Sequence, residues 1–246
     1  MKRYFGLLAL ASALLSAASA QLRIYDTIYA AGGPPDFNVP GLTFVGGTPP
    51  PPRTLMGDGI RVALSNPVQL VRFDFVLVIP IAVTNASVNV EVTIFNQWVL
   101  TNRPATAPAY IPNTQAGSFS ATLSGLNTTG PTAFLVSLTP PSSVILDPFE
   151  DKFVQIRLFG GLADANNATV GVVNRPPAPG GQGPLTDAFY IDLNNDGILA
   201  INEARTFGGG RLNDNLAIAL FVPEPASLIA LGAGLAGLVG LRRRKK

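Results

Sequence analysis

The stretch Val88-Asn89-Val90-Glu91-Val92-Thr93-Ile94 decides the fold class of this chain, because apolar and polar residues alternate along it without a break. Successive side chains of a β-strand point to opposite faces, so the alternation predicts a strand with one buried face. Two further stretches, Val71 to Phe75 and Ser118 to Ser124, have the same period of two. Half-buried β-strands are therefore the basic element of the chain.

Seven more segments combine β-branched or aromatic residues with turn residues at their ends. They are Leu22 to Tyr29, Ile60 to Leu64, Thr132 to Leu138, Phe153 to Phe159, Thr169 to Val173, Ala188 to Asp192 and Asn215 to Val222. The 25 glycines and 22 prolines supply turns between them. Two packed antiparallel sheets bury such a pattern, so we predict an all-β body of the β-sandwich or jelly-roll type.

Composition excludes several kinds of function. The chain has no cysteine and no histidine, which removes disulfides, thiolate metal sites and any nucleophile paired with histidine. Seven of the 17 basic residues lie at positions 2, 3 and 242–246, so residues 21–222 keep 10 basic and 14 acidic residues. A mildly acidic body has no basic patch for a phosphate backbone, and we expect no nucleic-acid partner.

Residues 1–20 have the three parts of a secretory signal peptide. Lys2 and Arg3 precede an apolar run, and small residues lead to Ala20 before Gln21. This order predicts a signal helix that is cleaved between Ala20 and Gln21, and it implies export by the secretion machinery. The alternative is a buried N-terminal helix of the body.

Residues 226–241 form an uncharged apolar run that five basic residues follow. As a helix rising 1.5 Å per residue, the run is about 24 Å long, short for a bilayer core but sufficient with some thinning. The cations would stay on the cytoplasmic side, which leaves the body outside. We therefore divide the chain into a signal peptide (1–20), a β-sandwich body (21–222) and an anchor segment with a transmembrane helix (223–246).

The segment that joins body and anchor is Val222-Pro223-Glu224-Pro225-Ala226-Ser227. Followed by a glycine-rich apolar run and an arginine cluster, it resembles the PEP-CTERM sorting signal of Gram-negative bacteria, with Pro223, Glu224 and Pro225 as the motif. The resemblance implies processing by an exosortase. It also implies a precursor anchored in the inner membrane, later placement at the cell surface or in the extracellular matrix, and association with extracellular polysaccharide or biofilm matrix.

The sharpest chemical motif is Asp-x-Asn-x-Asp-Gly-x5-Glu at residues 192–203. It resembles the EF-hand calcium loop, in which oxygens at fixed positions surround a hard cation. Carried over residue by residue, the Ca²⁺ ligands are Asp192, Asn194, Asp196, the Ile198 carbonyl and Glu203. The residues before the loop favour a strand instead of a helix, so a hairpin turn without metal is the alternative.

Function beyond export follows less directly. Trp98 is a candidate carbohydrate contact, since an exposed indole suits a sugar face, and core packing is the alternative. The cluster Asp147, Glu150 and Asp151 is the best candidate for paired catalytic carboxylates, with a solvated loop as the alternative. We expect that the chain is not an enzyme and that it is a structural surface or matrix protein. A carbohydrate-binding module and a polysaccharide-processing enzyme are the alternatives.

Overall fold

A computed structural model describes residues 21–29, 55–98, 114–165, 167–174, 177–182, 189–192, 197–199, 203–205 and 214–224 of the 246. These residues contain β-strands and no α-helix, which confirms the all-β prediction. The predicted signal helix (1–20) and transmembrane helix lie outside the described residues.

Sixteen strands are present in the described part of the chain. They are β1 Gln21–Asp26, β2 Leu55–Arg61, β3 Val68–Gln69, β4 Arg72–Ile79, β5 Val83–Phe95, β6 Gln115–Thr128, β7 Thr132–Leu138, β8 Ile145–Leu146, β9 Asp151–Phe159, β10 Thr169–Val170, β11 Val172–Asn174, β12 Gly181–Gln182, β13 Phe189–Ile191, β14 Ala204–Arg205, β15 Asp214–Leu216 and β16 Ile218–Pro223.

All strand pairs are antiparallel, and two sheets account for most of them. The larger sheet has the order β14-β13-β2-β9-β5-β6, with β12 also paired to β2. The smaller sheet has the order β1-β16-β4-β10, with β7 also paired to β4. Two short ladders, β3-β8 and β11-β15, complete the described pairing.

The main core lies between these two sheets, because alternate residues of both contribute to one apolar cluster. The smaller sheet supplies Phe73, Phe75 and Leu77 from β4, and the larger sheet supplies Val90 and Val92 from β5, all buried. Side chains that alternate along a strand all reach the same face, so each sheet presents one apolar face to the other. The apolar residues of the stretch Val88 to Ile94 thus face the core, and the polar residues between them face away from it, as the sequence predicts.

The other face of the smaller sheet corrects one expectation. Val71 to Phe75 predicts a half-buried strand, yet β4 is buried on both faces. Val76 and Val78 join Ala219 and Phe221 in a second apolar cluster on that outer face. Central strands of a covered sheet are apolar on both sides, and a short alternating run does not distinguish them from strands with one wet face.

Candidate functional site

The predicted sorting motif begins inside the smaller sheet. Pro223 is the last residue of β16, and its Cα partner is Gln21, the first residue of β1. Leu22 pairs with Val222 in the same ladder, and half-buried Glu224 follows the strand directly. Ala20 and Pro225, the other predicted site residues here, lie outside the described residues. The two ends of the body therefore meet at one point.

Strand β16 is held firmly just before the motif. The Arg72 guanidinium lies 4.6 Å from the ring centroid of Phe221 and donates to both oxygens of Asp74, at 2.8 and 2.6 Å. The Tyr29 hydroxyl also donates to Asp74. Burial, together with this carboxylate, raises the pKa of Tyr29 well above its usual range. A buried carboxylate that is satisfied on both oxygens ties β4 to the segment after β1 around Phe221.

Residues 221–245 match the family model of the PEP-CTERM protein-sorting motif. The chain carries a PEP-CTERM motif. Such a motif marks an exported precursor that is held at the membrane, is a substrate of an exosortase and is sorted to the cell surface. Comparison with curated proteins gives no match, and comparison with solved structures gives none either.

The PEP-CTERM motif spans the junction of a folded strand and the predicted anchor. Its first residues, Phe221 to Pro223, belong to β16. The predicted membrane-spanning run 226–241 lies outside the described residues. Among the residues that are described, no helix combines the length and the apolar character needed to cross a bilayer.

The predicted calcium loop joins two paired strands. Tyr190 of β13 pairs with Ala204 of β14, so residues 192–203 form the connection of a β-hairpin. This arrangement differs from the helix-loop-helix of an EF-hand, as the strand-like residues before the loop indicate. The predicted ligands Asn194 and Asp196 lie outside the described residues. Within the described ranges, no three His, Cys, Asp or Glu side chains cluster as a metal site.

The described part of the loop has a buried carboxylate at each end. Asp192 and Glu203, its first and twelfth residues, are buried to 2% and 3% exposure. Gly197 has a φ of 80° and donates its N–H to Asp192 Oδ2 at 2.8 Å, which turns the chain back over that carboxylate. The side chain of Ile198 points to solvent, with 44% exposure. The donor set is made of oxygens, which fits a hard cation such as Ca²⁺.

Trp98 lies in the interior, which decides between the candidate carbohydrate contact and core packing. The indole is 0% exposed, stacks on Phe153 at 6.0 Å between ring centroids and meets the edge of Tyr190 at 6.3 Å. Gly59 leaves space for it, since a Cβ there would lie 2.7 Å from Trp98 Cη2. A buried indole has no face for a sugar, so the alternative of core packing holds.

The same aromatic cluster receives a residue of the calcium loop. Leu199 is fully buried with Trp98, Phe153 and Tyr190. It also lies over β2, where a Cβ on Gly57 would be 2.5 Å from its Cδ1. The conformation of the loop and the packing of the only tryptophan in the chain are therefore coupled.

Two of the three carboxylates in the acidic cluster form ion pairs, and Glu150 is exposed. Lys152 is fully buried and donates to Asp147 Oδ1 at 3.0 Å and to the Phe149 carbonyl at 2.6 Å. Burial lowers the pKa of this lysine. Asp151 accepts from Arg61 Nε at 2.8 Å. These contacts give Asp147 and Asp151 a structural use, in keeping with a loop between strands.

Sequence reasoning gives no signal for the most unusual titratable residue, Asp58. It lies in β2 with 1% exposure and accepts the Leu216 N–H at 2.8 Å through Oδ2. Among the described residues, no donor reaches Asp58 Oδ1. The buried hydroxyl of Tyr25 likewise has no hydrogen-bond partner among them. Burial raises the pKa of Asp58 well above its ordinary range. Burial of a carboxyl with one oxygen that lacks a donor destabilises the folded state.

Proposed function

We propose that the chain is a non-catalytic structural protein of the cell surface or extracellular matrix, delivered as a PEP-CTERM precursor. The observation that carries this proposal is the sorting motif at 221–245, which begins inside the sheet. Export by the secretion machinery and a stay in the inner membrane precede exosortase processing. Asp147 and Asp151, two of the candidate catalytic carboxylates, each form an ion pair, with Lys152 and Arg61 respectively.

The end of β16 supports a position of the body close to the membrane while the predicted anchor is in place. Only Glu224 and Pro225 separate the end of β16 from the apolar run that starts at Ala226. The three Cα-to-Cα steps from Pro223 to Ala226 span at most about 11 Å, so the sheet edge at Gln21 and Pro223 lies close to the bilayer surface while the anchor is in place. Proline on each side of Glu224 keeps this short connection extended, a form that a protease can bind.

The proposal is tested in a bacterium that encodes an exosortase. A reporter fused directly ahead of Pro223 is expected to be active only outside the cytoplasm. Replacement of Pro223, Glu224 and Pro225 by alanine is expected to leave the uncut precursor in the membrane fraction, while a matched Thr139, Pro140 and Pro141 to alanine variant is processed normally. A cytoplasmic reporter, or equal processing of both variants, would contradict the proposal.

We further propose that the loop 192–203 binds Ca²⁺ through Asp192, Asn194, Asp196, the Ile198 carbonyl and Glu203. Buried Asp192 and Glu203 at the base of the hairpin support this assignment. Carboxylate and carbonyl oxygens are the ligands that Ca²⁺ prefers in proteins. Its role in a protein without disulfides is structural, because it fixes the loop that carries Leu199 into the aromatic cluster.

Calcium binding has a built-in probe, since Trp98 is the only tryptophan and packs in the cluster with Leu199. Calcium titration of the full chain in detergent is expected to change Trp98 fluorescence in a saturable way. At a hundredfold excess over Kd, Ca²⁺ contributes about 2.7 kcal/mol, so chelation is expected to lower Tm by roughly 5–10 °C. Glu203→Gln should abolish both effects, and exposed Glu150→Gln should keep them. An unchanged Tm with chelator would refute the site.

Association with extracellular polysaccharide is proposed from the sorting motif alone. Burial of Trp98 argues against the alternative of a carbohydrate-binding module centred on that residue. Cosedimentation of the processed protein with exopolysaccharide from its own host is expected. Retention that persists after Trp98→Phe would fit a matrix component without an indole subsite, and failure to cosediment would remove the polysaccharide from the proposal.

A further inference from the structure

Among the described residues, strand β6 is the last strand at one edge of the larger sheet. It is 14 residues long, and within the described part of the chain it pairs only with β5. The other edge of the same sheet ends in β14, which has two residues. A long edge strand presents a row of backbone N–H and C=O groups that another strand can use.

The usual protections of an edge strand are missing from the stretch Gly117 to Leu123 of β6. The sequence has no Asp, Glu, Lys or Arg between Arg103 and Asp147, and residues 115–128 contain no proline. Its pairing with β5 is regular from Gly117 to Leu123, and the irregularities lie outside that stretch. By contrast, edge strand β1 of the smaller sheet carries Arg23 and an irregularity between Arg23 and Tyr25. Charge and bulges normally prevent edge-to-edge pairing.

The two faces of the regular stretch are sharply different. Phe119, Ala121 and Leu123 pack against the core but stay only half-buried, so an apolar fringe remains at the edge. Ser118, Ser120, Thr122 and Ser124 are exposed on the opposite face. Hydroxyls on that face already bond across to β5, as between Ser118 and Thr93 at 3.1 Å and between Thr122 and Asn89 at 2.7 Å.

We propose that β6 pairs antiparallel with β6 of a second copy of this chain, with the two-fold axis at Ala121. In this register Phe119 faces Leu123 of the other copy, so the apolar fringes cover each other. Ser120 faces Thr122 in the same way, which continues the row of hydroxyls. Cross-strand pairs of like character stabilise a sheet.

The absence of charge is what favours a second copy as the occupant. A two-fold axis brings identical residues together, so any charge near the axis meets its own kind. No residue of β6 imposes that cost, and the alternation of apolar and hydroxyl residues is symmetric about Ala121. The residues of the regular stretch can therefore pair with themselves without a side-chain conflict.

Cysteine cross-linking tests the pairing, since the chain has no cysteine of its own. Single variants Ser118→Cys, Ser120→Cys, Ala121→Cys, Thr122→Cys and Ser124→Cys are made in the full chain, expressed in an exporting host and oxidised in the membrane. Each residue step from the axis separates identical positions by about 7 Å along the strands, so the yield of disulfide dimer should peak at position 121, be lower at 120 and 122, and fall further at 118 and 124. A flat profile, or no dimer at any position, would overturn the proposal.

Charge at the axis provides a second test. Ala121→Lys places two ammonium groups directly opposite each other, and we expect the dimer fraction in detergent to fall about tenfold or more. Ser142→Lys, in the exposed turn after β7, is the matched control and should leave the dimer intact. Equal dimer fractions for both variants, each with a wild-type Tm, would contradict pairing through β6. If Ala121→Lys does not fold, the cysteine profile alone decides.

Discussion

A disulfide between Leu22→Cys and Val222→Cys tests whether the sheet controls exosortase access. Leu22 and Val222 are direct Cα partners, and Val222 lies two positions before Glu224. Opening the ladder as far as Val222 breaks about two backbone hydrogen bonds, worth about 1 kcal/mol each, and exposes a valine that is 3% exposed, worth about 1.5 kcal/mol. The open form is then about 3.5 kcal/mol less stable, a population of about 1 in 300.

The assay follows conversion of precursor to processed protein after a pulse of synthesis. If the exosortase binds Val222 and Pro223 as unpaired chain, the disulfide should stop conversion, and a reductant should restore it. Each single cysteine variant is the control and should be processed normally. Leu22→Gly, which weakens the strand by about 1 kcal/mol, should speed conversion about fivefold when opening limits the rate.

Processing of the oxidised double variant at the wild-type rate would refute this reasoning. It would mean that the exosortase engages only residues beyond Pro223 and that the pairing of Gln21 with Pro223 has no part in sorting. The sorting proposal itself would survive, because it depends on the motif and not on the ladder.

Three further changes test the interior. Asp58→Asn should raise Tm at neutral pH. Burial raises the pKa of Asp58, so the contribution of this carboxyl to stability is complete below its unfolded pKa and is lost as pH rises through its folded pKa. The Tm of the variant should therefore depend less on pH than that of the wild type. Trp98→Ala should lower the free energy of unfolding in urea by about 3–5 kcal/mol, and a loss under 1 kcal/mol would contradict its burial. Asp74→Ala should lower the free energy of unfolding in urea by about 2–3 kcal/mol, because the partly exposed Arg72 and the Tyr29 hydroxyl lose their acceptor.

Strand periodicity predicts most of this fold. Thr132 to Leu138 is β7 with the bounds that the sequence predicts, and Phe153 to Phe159 lies within β9. Thr169 to Val173 is split into β10 and β11 at Gly171, where the chain turns against Val76 and donates to its carbonyl at 2.7 Å. Local pattern thus identifies where strands lie, while their interruptions depend on what packs beside them.

The largest error concerns β2, where the sequence predicts a strand only from Ile60. Met56-Gly57-Asp58-Gly59 has the composition of a turn, yet it lies in the middle of the larger sheet. A Cβ on Gly57 would collide with Phe153 and Leu199, and a Cβ on Gly59 would collide with Trp98. Glycine here makes room for distant aromatic residues, a requirement that only the tertiary structure shows.

The candidate sites divide in the same way. The sorting motif is written in consecutive residues, so the sequence alone identifies it and the family model agrees. The burial of Trp98 depends on Phe153 and Tyr190, which are distant along the chain. Nothing in the local pattern around residue 98 separates an indole in the core from one on the surface.

The place of β16 between β1 and β4 has a consequence for synthesis and secretion. A polypeptide that crosses a membrane through the secretion channel does so as an extended thread, beginning with its earliest residues. Here the smaller sheet stays incomplete until residues 218–223 arrive, almost 200 positions after the strand they join. Contacts so far apart in sequence form late, so completion of the smaller sheet follows synthesis of nearly the whole body.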